Sequence, residues 1–363
     1  MVEAAVTSAF YAARPGLYLD GQAELELALG LLSLAVHETT AGLYACEATF
    51  GNWGTDGGRV GYLYFDRQLL DFGRVLRVEI GDGEAAAKIF EGRIMGIEGR
   101  YPQQSPPEIL VLAEDRFQDL RMIRRSRSFD DVSTRDVIET IAGEHGLSTD
   151  IDVEGPTYRI LTQANQSDLA FLRECARAVD AELWIEAGTL FAKARSRRSA
   201  EDLSLSYGHR LKEFQVLADL ACQRTSLTVS GWDPSVKETI ESESDEAAIR
   251  SELDGGRGGG AILQQTLGRR PEMQVHHVPL SGEEARSLAD AHYRSMARRF
   301  VTGRALAEGD GRLRVGSHVA LDGLGPLFDG RYYVSEVTHT FDSRNGYRTF
   351  FRVERPYLGE NPS

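Results

Sequence analysis

Between Leu17 and Ala113 the chain offers short apolar runs, each about one strand long, parted by glycine-bearing turns. That pattern constrains the fold more than any other feature. Leu17-Tyr18-Leu19-Asp20-Gly21-Gln22 ends in a turn, and Leu43 to Phe50 runs into the glycine-rich stretch Gly51 to Gly58. Val75 to Ile80 and Ala87 to Ile94 flank Gly81-Asp82-Gly83, and an Asp-Gly pair supplies the positive φ of a tight hairpin. Ile109 to Ala113 closes the unit. Repeated short strands at this spacing predict a barrel or sandwich. The 37 glycines against 11 prolines suit many tight turns.

The signal returns at the far end. Cys222, Arg224, Ser226 and Thr228 alternate with Gln223, Thr225, Leu227 and Val229. His318 to Asp322, Tyr332 to Phe341 and Tyr347 to Val353 then read as strands, the last two joined across Asn345-Gly346. Residues 204–234 and 304–356 are thus expected to be two halves of one β domain. The interrupting segment 235–303 reads as an acidic coil, a flexible linker at Gly255 to Gly260, and a helix. That helix starts at the capping box Ser281-Gly282-Glu283-Glu284 and turns Ala285, Leu288, Ala289, His292 and Met296 inward. In mid-chain, Ser133-Thr134-Arg135-Asp136 and Ser167-Asp168 open two amphipathic helices, and Leu183 to Phe191 forms a short hairpin. The expected plan is mainly β with α+β parts. A β-barrel spans 1–118, a small α/β domain 119–203, a second barrel 204–234 with 304–356, an insertion 235–303, and a C-terminal tail 357–363.

Composition excludes several classes. Length 363 suits two or more domains, and 42 % apolar with 26 % charged residues argues against disorder. A formal net charge of −14 argues against nucleic acid as the main partner, because phosphate binding needs cationic patches. Arg116 to Arg127 reverses that sign locally with five arginines and one aspartate. Without aromatic interleaving beyond Phe117, it reads as a connector or a protein-contact strip. Cys46, Cys175 and Cys222 lie far apart and form no CxxC pair, so they read as buried apolar side chains in a reducing compartment. The N-terminus has no basic region, and the apolar stretch Leu25 to Val36 is too short to span a bilayer. Synthesis in the cytoplasm without a signal peptide, and no membrane insertion, are expected.

No GxSxG elbow, P-loop or GxGxxG after a strand occurs. His276-His277 is the one pair suggestive of a metal, with His292 as a third partner, but neighbours on a strand point to opposite faces. His339 shares a strand face with Val337 and Phe341 and reads as a packed histidine held by a backbone hydrogen bond. The acidic run 238–254 is a poor host for a carboxylate pair, because catalysis needs preorganisation. No catalytic, cofactor-binding or metal residue is predicted.

A family resemblance rests on Gln163-Ala164-Asn165-Gln166-Ser167-Asp168-Leu169-Ala170-Phe171-Leu172-Arg173. This segment resembles the QxxxSDxxFLxR signature of the phage late control D proteins. Those are the baseplate hub proteins of contractile tails, related to the N-terminal hub part of VgrG from type VI secretion. Asp136 to Leu147, Ala181 to Phe191, Leu313 to Val319, Gly330 to Val334, Val337 to His339 and Gly346 to Thr349 fall in the family's order. The resemblance implies two tail-tube-like barrels per chain and a homotrimeric ring of six barrels. Such a hub joins a trimeric spike to a hexameric inner tube and nucleates tube assembly. VgrG proteins continue into an OB-fold and needle where this sequence ends, so the spike is expected to be a separate chain.

The expected function is therefore structural: the hub of a phage tail, tailocin or extracellular contractile injection system. Its partners would be itself, a spike protein, the inner tube protein and other baseplate proteins. A carbohydrate-binding or adhesive β module is the alternative, with Trp53 in the Gly51–Gly58 loop as the one platform placed for it. An embedded hydrolase is a third reading, and it would need a preorganised carboxylate pair.

Overall fold

The computed structural model describes residues 14–56, 58–81, 86–198, 202–233, 237–275 and 279–359. The protein is mainly β, built on one largely antiparallel sheet of 13 strands drawn from both ends of the chain. One half runs in the order Leu31–Thr39, Ala45–Gly51, Glu108–Glu114, Ala87–Arg100, Val75–Ile80 and Gly16–Leu19, edged by Gln22–Ala23. The other half runs Leu211–Ala218, Val301–Glu308, Gly346–Arg355 and Gly330–Asp342. His318–Asp322 joins Gly330–Asp342 from the side and carries Asp202–Ser206. The halves meet where Gly330–Asp342 pairs antiparallel with Leu31–Thr39.

The two halves repeat one pairing scheme. Leu31–Thr39 pairs with Ala45–Gly51, which pairs with Glu108–Glu114, then Ala87–Arg100, then Val75–Ile80. Leu211–Ala218 pairs with Val301–Glu308, then Gly346–Arg355, Gly330–Asp342 and His318–Asp322. The irregularities coincide as well. A register shift between Leu31 and Ser33 matches one between Leu211 and Glu213. Another between Ile94 and Gly96 matches one between Val334 and Glu336. Bulges re-aim a strand at a fixed place, so matching bulges make Ile97 equivalent to Val337 and Ala218 equivalent to Glu38.

Alternation places the core. In Val75–Ile80, Leu76, Val78 and Ile80 are fully buried while the residues between them are half-buried. They join Leu17, Val36, Phe50, Ile94 and Val111 in one apolar cluster, and Leu211, Val319, Tyr332, Val337 and Phe351 form its counterpart. A third cluster gathers Val137, Ile138 and Ile141 with Leu169, Leu172 and Leu190. These come from helices Thr134–Glu144 and Asp168–Ala178 and from the sheet of Ser148–Asp152, Thr189–Ala194 and Ala181–Glu186. The Ser133 side chain and Asp136 close a reciprocal capping box, and Ser167 accepts the Ala170 N–H.

Several elements differ from the sequence expectation. Leu25–Gly30 is a short helix leading into the strand Leu31–Thr39, and the antiparallel ribbon of Arg124–Ser133 with Thr157–Ser167 had no alternating apolar face to announce it. The Arg116 to Arg127 strip is not a simple connector. Phe117 and Leu120 are buried on the helix Phe117–Arg121, and Arg125 and Arg127 pair with Glu144 and Asp168. Cys46 and Cys175 are buried, but Cys222 is exposed, since it follows the strand end in a turn.

The expected coil and linker of the insertion are ordered. Glu238–Asp245 is a strand, Glu246–Glu252 a 3₁₀ helix and Gly259–Leu267 an α-helix. The glycines serve close approach rather than flexibility. A Cβ on Gly259 would lie 2.7 Å from the Phe300 ring, and one on Gly260 2.6 Å from the Tyr293 hydroxyl. Glu246 accepts the Ala261 N–H at 2.7 Å and so caps that helix. Ser281 caps helix Gly282–Ala297, which buries Ala285, Leu288 and Ala289, while His292 and Met296 are half-buried.

Candidate functional site: a charged junction and two open edges

The residues weighed for chemistry do not converge. His276 and His277 lie outside the described residues, and the turn at Asp82-Gly83 does too. Among the described residues no three His, Cys, Asp or Glu side chains form a metal-binding group. His339 is fully buried; its Nδ1 meets the Tyr347 hydroxyl at 2.8 Å, and the ring also hydrogen-bonds the Leu313 backbone, in line with the packed histidine expected from the sequence. Burial holds its imidazole neutral, with a pKa of about 3. Trp53 is exposed and packs against Tyr62, ring centroids 5.2 Å apart, and Tyr62 touches Phe65 and Tyr101. The rings of Trp53 and Tyr62 stand at 81°, so they do not form a flat platform.

What does converge is a buried charged junction. Arg198 donates to Glu182 at 2.8 Å and to the Tyr44 hydroxyl at 3.0 Å, and its guanidinium covers Trp184 at 4.3 Å. Tyr333 donates its hydroxyl to the same Glu182 carboxylate at 2.5 Å. Arg195 lies 3.5 Å over the Tyr333 ring and pairs with Glu354 at 2.5 Å. One short segment, Arg195 to Arg198, therefore ties the first β repeat, the α/β unit and the second repeat together. Gly316 permits it, since a Cβ there would collide with the Arg198 side chain.

Two further pairs brace the same region. Glu38, 1 % exposed, accepts from the Arg314 guanidinium and from the Val315 N–H at 3.2 Å. Burial still pushes its carboxyl above the ordinary range, with Arg314 pulling the other way. Arg298 holds both Asp180 and Glu252, locking the insertion to the α/β unit. Burial opposes ionisation of Glu252, but the Arg298 bond and charge outweigh it and keep the carboxyl below its usual range. Asp115 accepts the Tyr44 and Phe117 N–H groups, and burial lifts its pKa to about 7. Long-range partners such as Arg198 and Glu182 carry no sequence motif, so sequence reasoning had no signal for them.

The other notable feature is at the ends of the sheet. Leu211–Ala218 pairs on one side only, and Ala87–Arg100 leaves one edge open from Gly96 to Arg100, among the described residues. Open edges present unpaired N–H and C=O groups and are templates for another chain. Nothing in this constellation combines a nucleophile with a base. The junction ties the two repeats and the α/β unit together, and the two strand edges are unpaired among the described residues.

Known structures share the whole architecture. The 43 kDa tail protein of prophage MuSo2 from Shewanella oneidensis matches with a TM-score of 0.69 at 15 % identity, over 95 % of this chain and 99 % of its own. A tail protein from Neisseria meningitidis MC58 matches at 0.64 and 13 % identity, over 95 % and 97 %. The Escherichia coli c3393 protein matches at 0.57 and 12 % identity, over 92 % and 76 %. That protein is described as a type VI secretion component with structural similarity to the T4 tail proteins gp27 and gp5. The fold is thus the one shared by phage tail proteins and VgrG-related hub components. Within it, the chain belongs to the Alg8 N-terminal domain family, whose model matches residues 62–343. No curated protein matches the chain in sequence.

Proposed function

We propose that the protein is the non-enzymatic, homotrimeric hub of a contractile tail-like particle, joining a separate trimeric spike to a hexameric inner tube. The observation that carries this reading is the repeat with one junction already made. In the chain, Val337 faces Glu38 and His339 faces Val36 across the seam between repeats. Carrying the equivalences over, the open edge of Ala87–Arg100 would meet the open edge Leu211–Ala218 of a second copy, Ile97 opposite Ala218 and Gly99 opposite Val216. One head and one tail edge per chain make a heterologous contact, which gives a ring where its rotation closes and an open filament where it does not; on this reading it closes at three copies. Three chains would then present six near-equivalent repeats to a sixfold tube. On this reading the barrels are 1–118 and 204–234 with 304–356, the α/β domain 119–203 and the insertion 235–303, with one correction. The strand Ser226–Asp233 pairs with Glu238–Asp245 and Pro271–Gln274 and so stands with the insertion rather than in the barrel sheet.

Native mass measurement of the chain alone and with its spike and tube partners tests the oligomer. Three copies are expected, and a strict monomer in the presence of both partners would sink the hub reading. Register is tested by disulfide trapping in a Cys222→Ser background. Ile97→Cys with Ala218→Cys should give a covalent trimer on non-reducing gels, and Ile97→Cys with Gln215→Cys should not.

A further inference from the structure

Trp53, Tyr62 and Tyr101 are exposed, and with Phe65 they form one aromatic cluster. The cluster sits at the open edge of Ala87–Arg100, where a Cβ on Gly99 would lie 3.1 Å from the Phe65 ring and 3.3 Å from the Tyr101 ring. The fully buried Asn52 fixes the loop that carries Tyr62 and Phe65, accepting the Leu63 N–H at 3.0 Å and the Tyr64 N–H at 2.8 Å. Contiguous apolar surface of this kind marks an interaction site, and rings bury a large area at a contact.

The seam inside the chain shows what covers such a position. Counted on from Ile97 and Val337, Tyr101 corresponds to Phe341; counted back from Ala218 and Glu38, Phe214 corresponds to Leu34 and Val216 to Val36. Phe341 crosses the seam to face Leu34, and at 5 % exposure it belongs to the apolar cluster of the first repeat. Its counterpart Tyr101 is 65 % exposed. The opposite edge shows the matching deficit. Leu34 and Val36 are buried, whereas Phe214 and Val216 on Leu211–Ala218 are only half-buried against the second cluster. Among the described residues, then, one edge lacks the ring that would close it, and the other presents a ring that stands in solvent.

We infer that Tyr101, backed by Tyr62 and Phe65, is an aromatic anchor that enters the apolar cluster of a second copy of this chain and packs there against Phe214 and Val216. The inference rests on the ring reading above and adds to it the side chains that make the contact specific. Strand edges alone offer backbone groups to any strand; a ring facing one half-buried phenylalanine fixes the register and carries a large share of the affinity. The exposed aromatic loop around Trp53 is thereby assigned to a protein contact.

The test uses the full chain in the Cys222→Ser background, under conditions in which Ile97→Cys with Ala218→Cys gives the covalent trimer. Tyr101→Cys with Phe214→Cys should then crosslink between copies as well. Tyr101→Glu, a change at an exposed position, should raise the concentration of half-assembly in sedimentation velocity by at least about tenfold. Its circular dichroism and the melting of its monomer should stay unchanged, and Tyr101→Phe should assemble as the wild type does. Crosslinking through positions 97 and 218 together with normal assembly of Tyr101→Glu would overturn the anchor and leave the ring reading standing. An equal loss in Tyr101→Phe would overturn the apolar packing, and no crosslink through 97 and 218 would overturn anchor and ring together.

Discussion

The seam between the repeats can be tested at Glu38 and Arg314. Glu38 sits on the strand Leu31–Thr39 opposite Val337, buried, with the Arg314 guanidinium and the Val315 N–H as its partners. Arg314 also donates to the Lys88 carbonyl at 2.9 Å, and its side chain is 30 % exposed. Arg314→Met would strand a buried carboxylate, a change that costs about 3–5 kcal/mol. Unfolding entropy is about 2.1 cal/mol/K per residue, so the Tm of a 363-residue chain unfolding as one unit would fall about 4–7 °C. Glu38→Gln keeps an oxygen for Val315 and leaves Arg314 near water, at about 1–2 kcal/mol. The pair changed together should cost less than the two singles summed.

The pH dependence fixes the cause. Burial already holds the Glu38 carboxyl above its ordinary range, and losing Arg314 pushes it further up. The folded state then binds this proton more readily than the unfolded one, so stability rises as pH falls through the folded pKa toward the ordinary carboxylate value. Differential scanning calorimetry from pH 8 to pH 5 should show the Arg314→Met deficit shrinking, and the double variant should show no such recovery. A deficit that is constant with pH, or no larger than that of Glu38→Gln, would refute the reasoning.

Gly259→Ala should destabilise by about 1–3 kcal/mol in a denaturant melt, because the added methyl meets the Phe300 ring and Gln223; a flexible linker at that position would show no loss. His339→Gln should flatten the acid limb of stability. With the native imidazole titrating at about 3, the unfolded state binds the extra proton between about pH 6.5 and 3, and wild type loses up to about 1.4 kcal/mol per pH unit there. Ser133→Ala removes the capping box of Thr134–Glu144 and should cost about 1 kcal/mol by urea titration.

Local chemistry made much of this protein legible from its residues. Val75–Ile80 alternates because one face is buried, Ser133 and Ser281 cap helices, and the stripe Val137, Ile138, Ile141 reads directly as a buried face. Each signal spans only a few residues. The insertion misled because composition does not report who the neighbours are. Gly259 and Gly260 lie against Phe300 and Tyr293, and Glu246 caps the helix they begin, so a glycine-rich, acidic text became packed structure. The ribbon 124–133 with 157–167 escaped because its few core-facing residues, Phe129, Val132, Tyr158 and Leu161, are scattered among polar and charged ones, and Arg127 reaching Asp168 is a tertiary contact.

The sequence by itself determined the mainly β class and the central helices, since propensity, capping and turn chemistry act within one or two turns of chain. Only the tertiary structure decided that the two β stretches repeat one pairing scheme and share a sheet through Leu31–Thr39 and Gly330–Asp342. It alone brought Arg198 to Glu182 and Tyr44, and Arg314 to Glu38. Those contacts join residues as much as 276 positions apart, and what selects them is the need to pair charges that a common interior desolvates, since an unpaired buried charge is costly and no local stretch of sequence records which groups will share that interior.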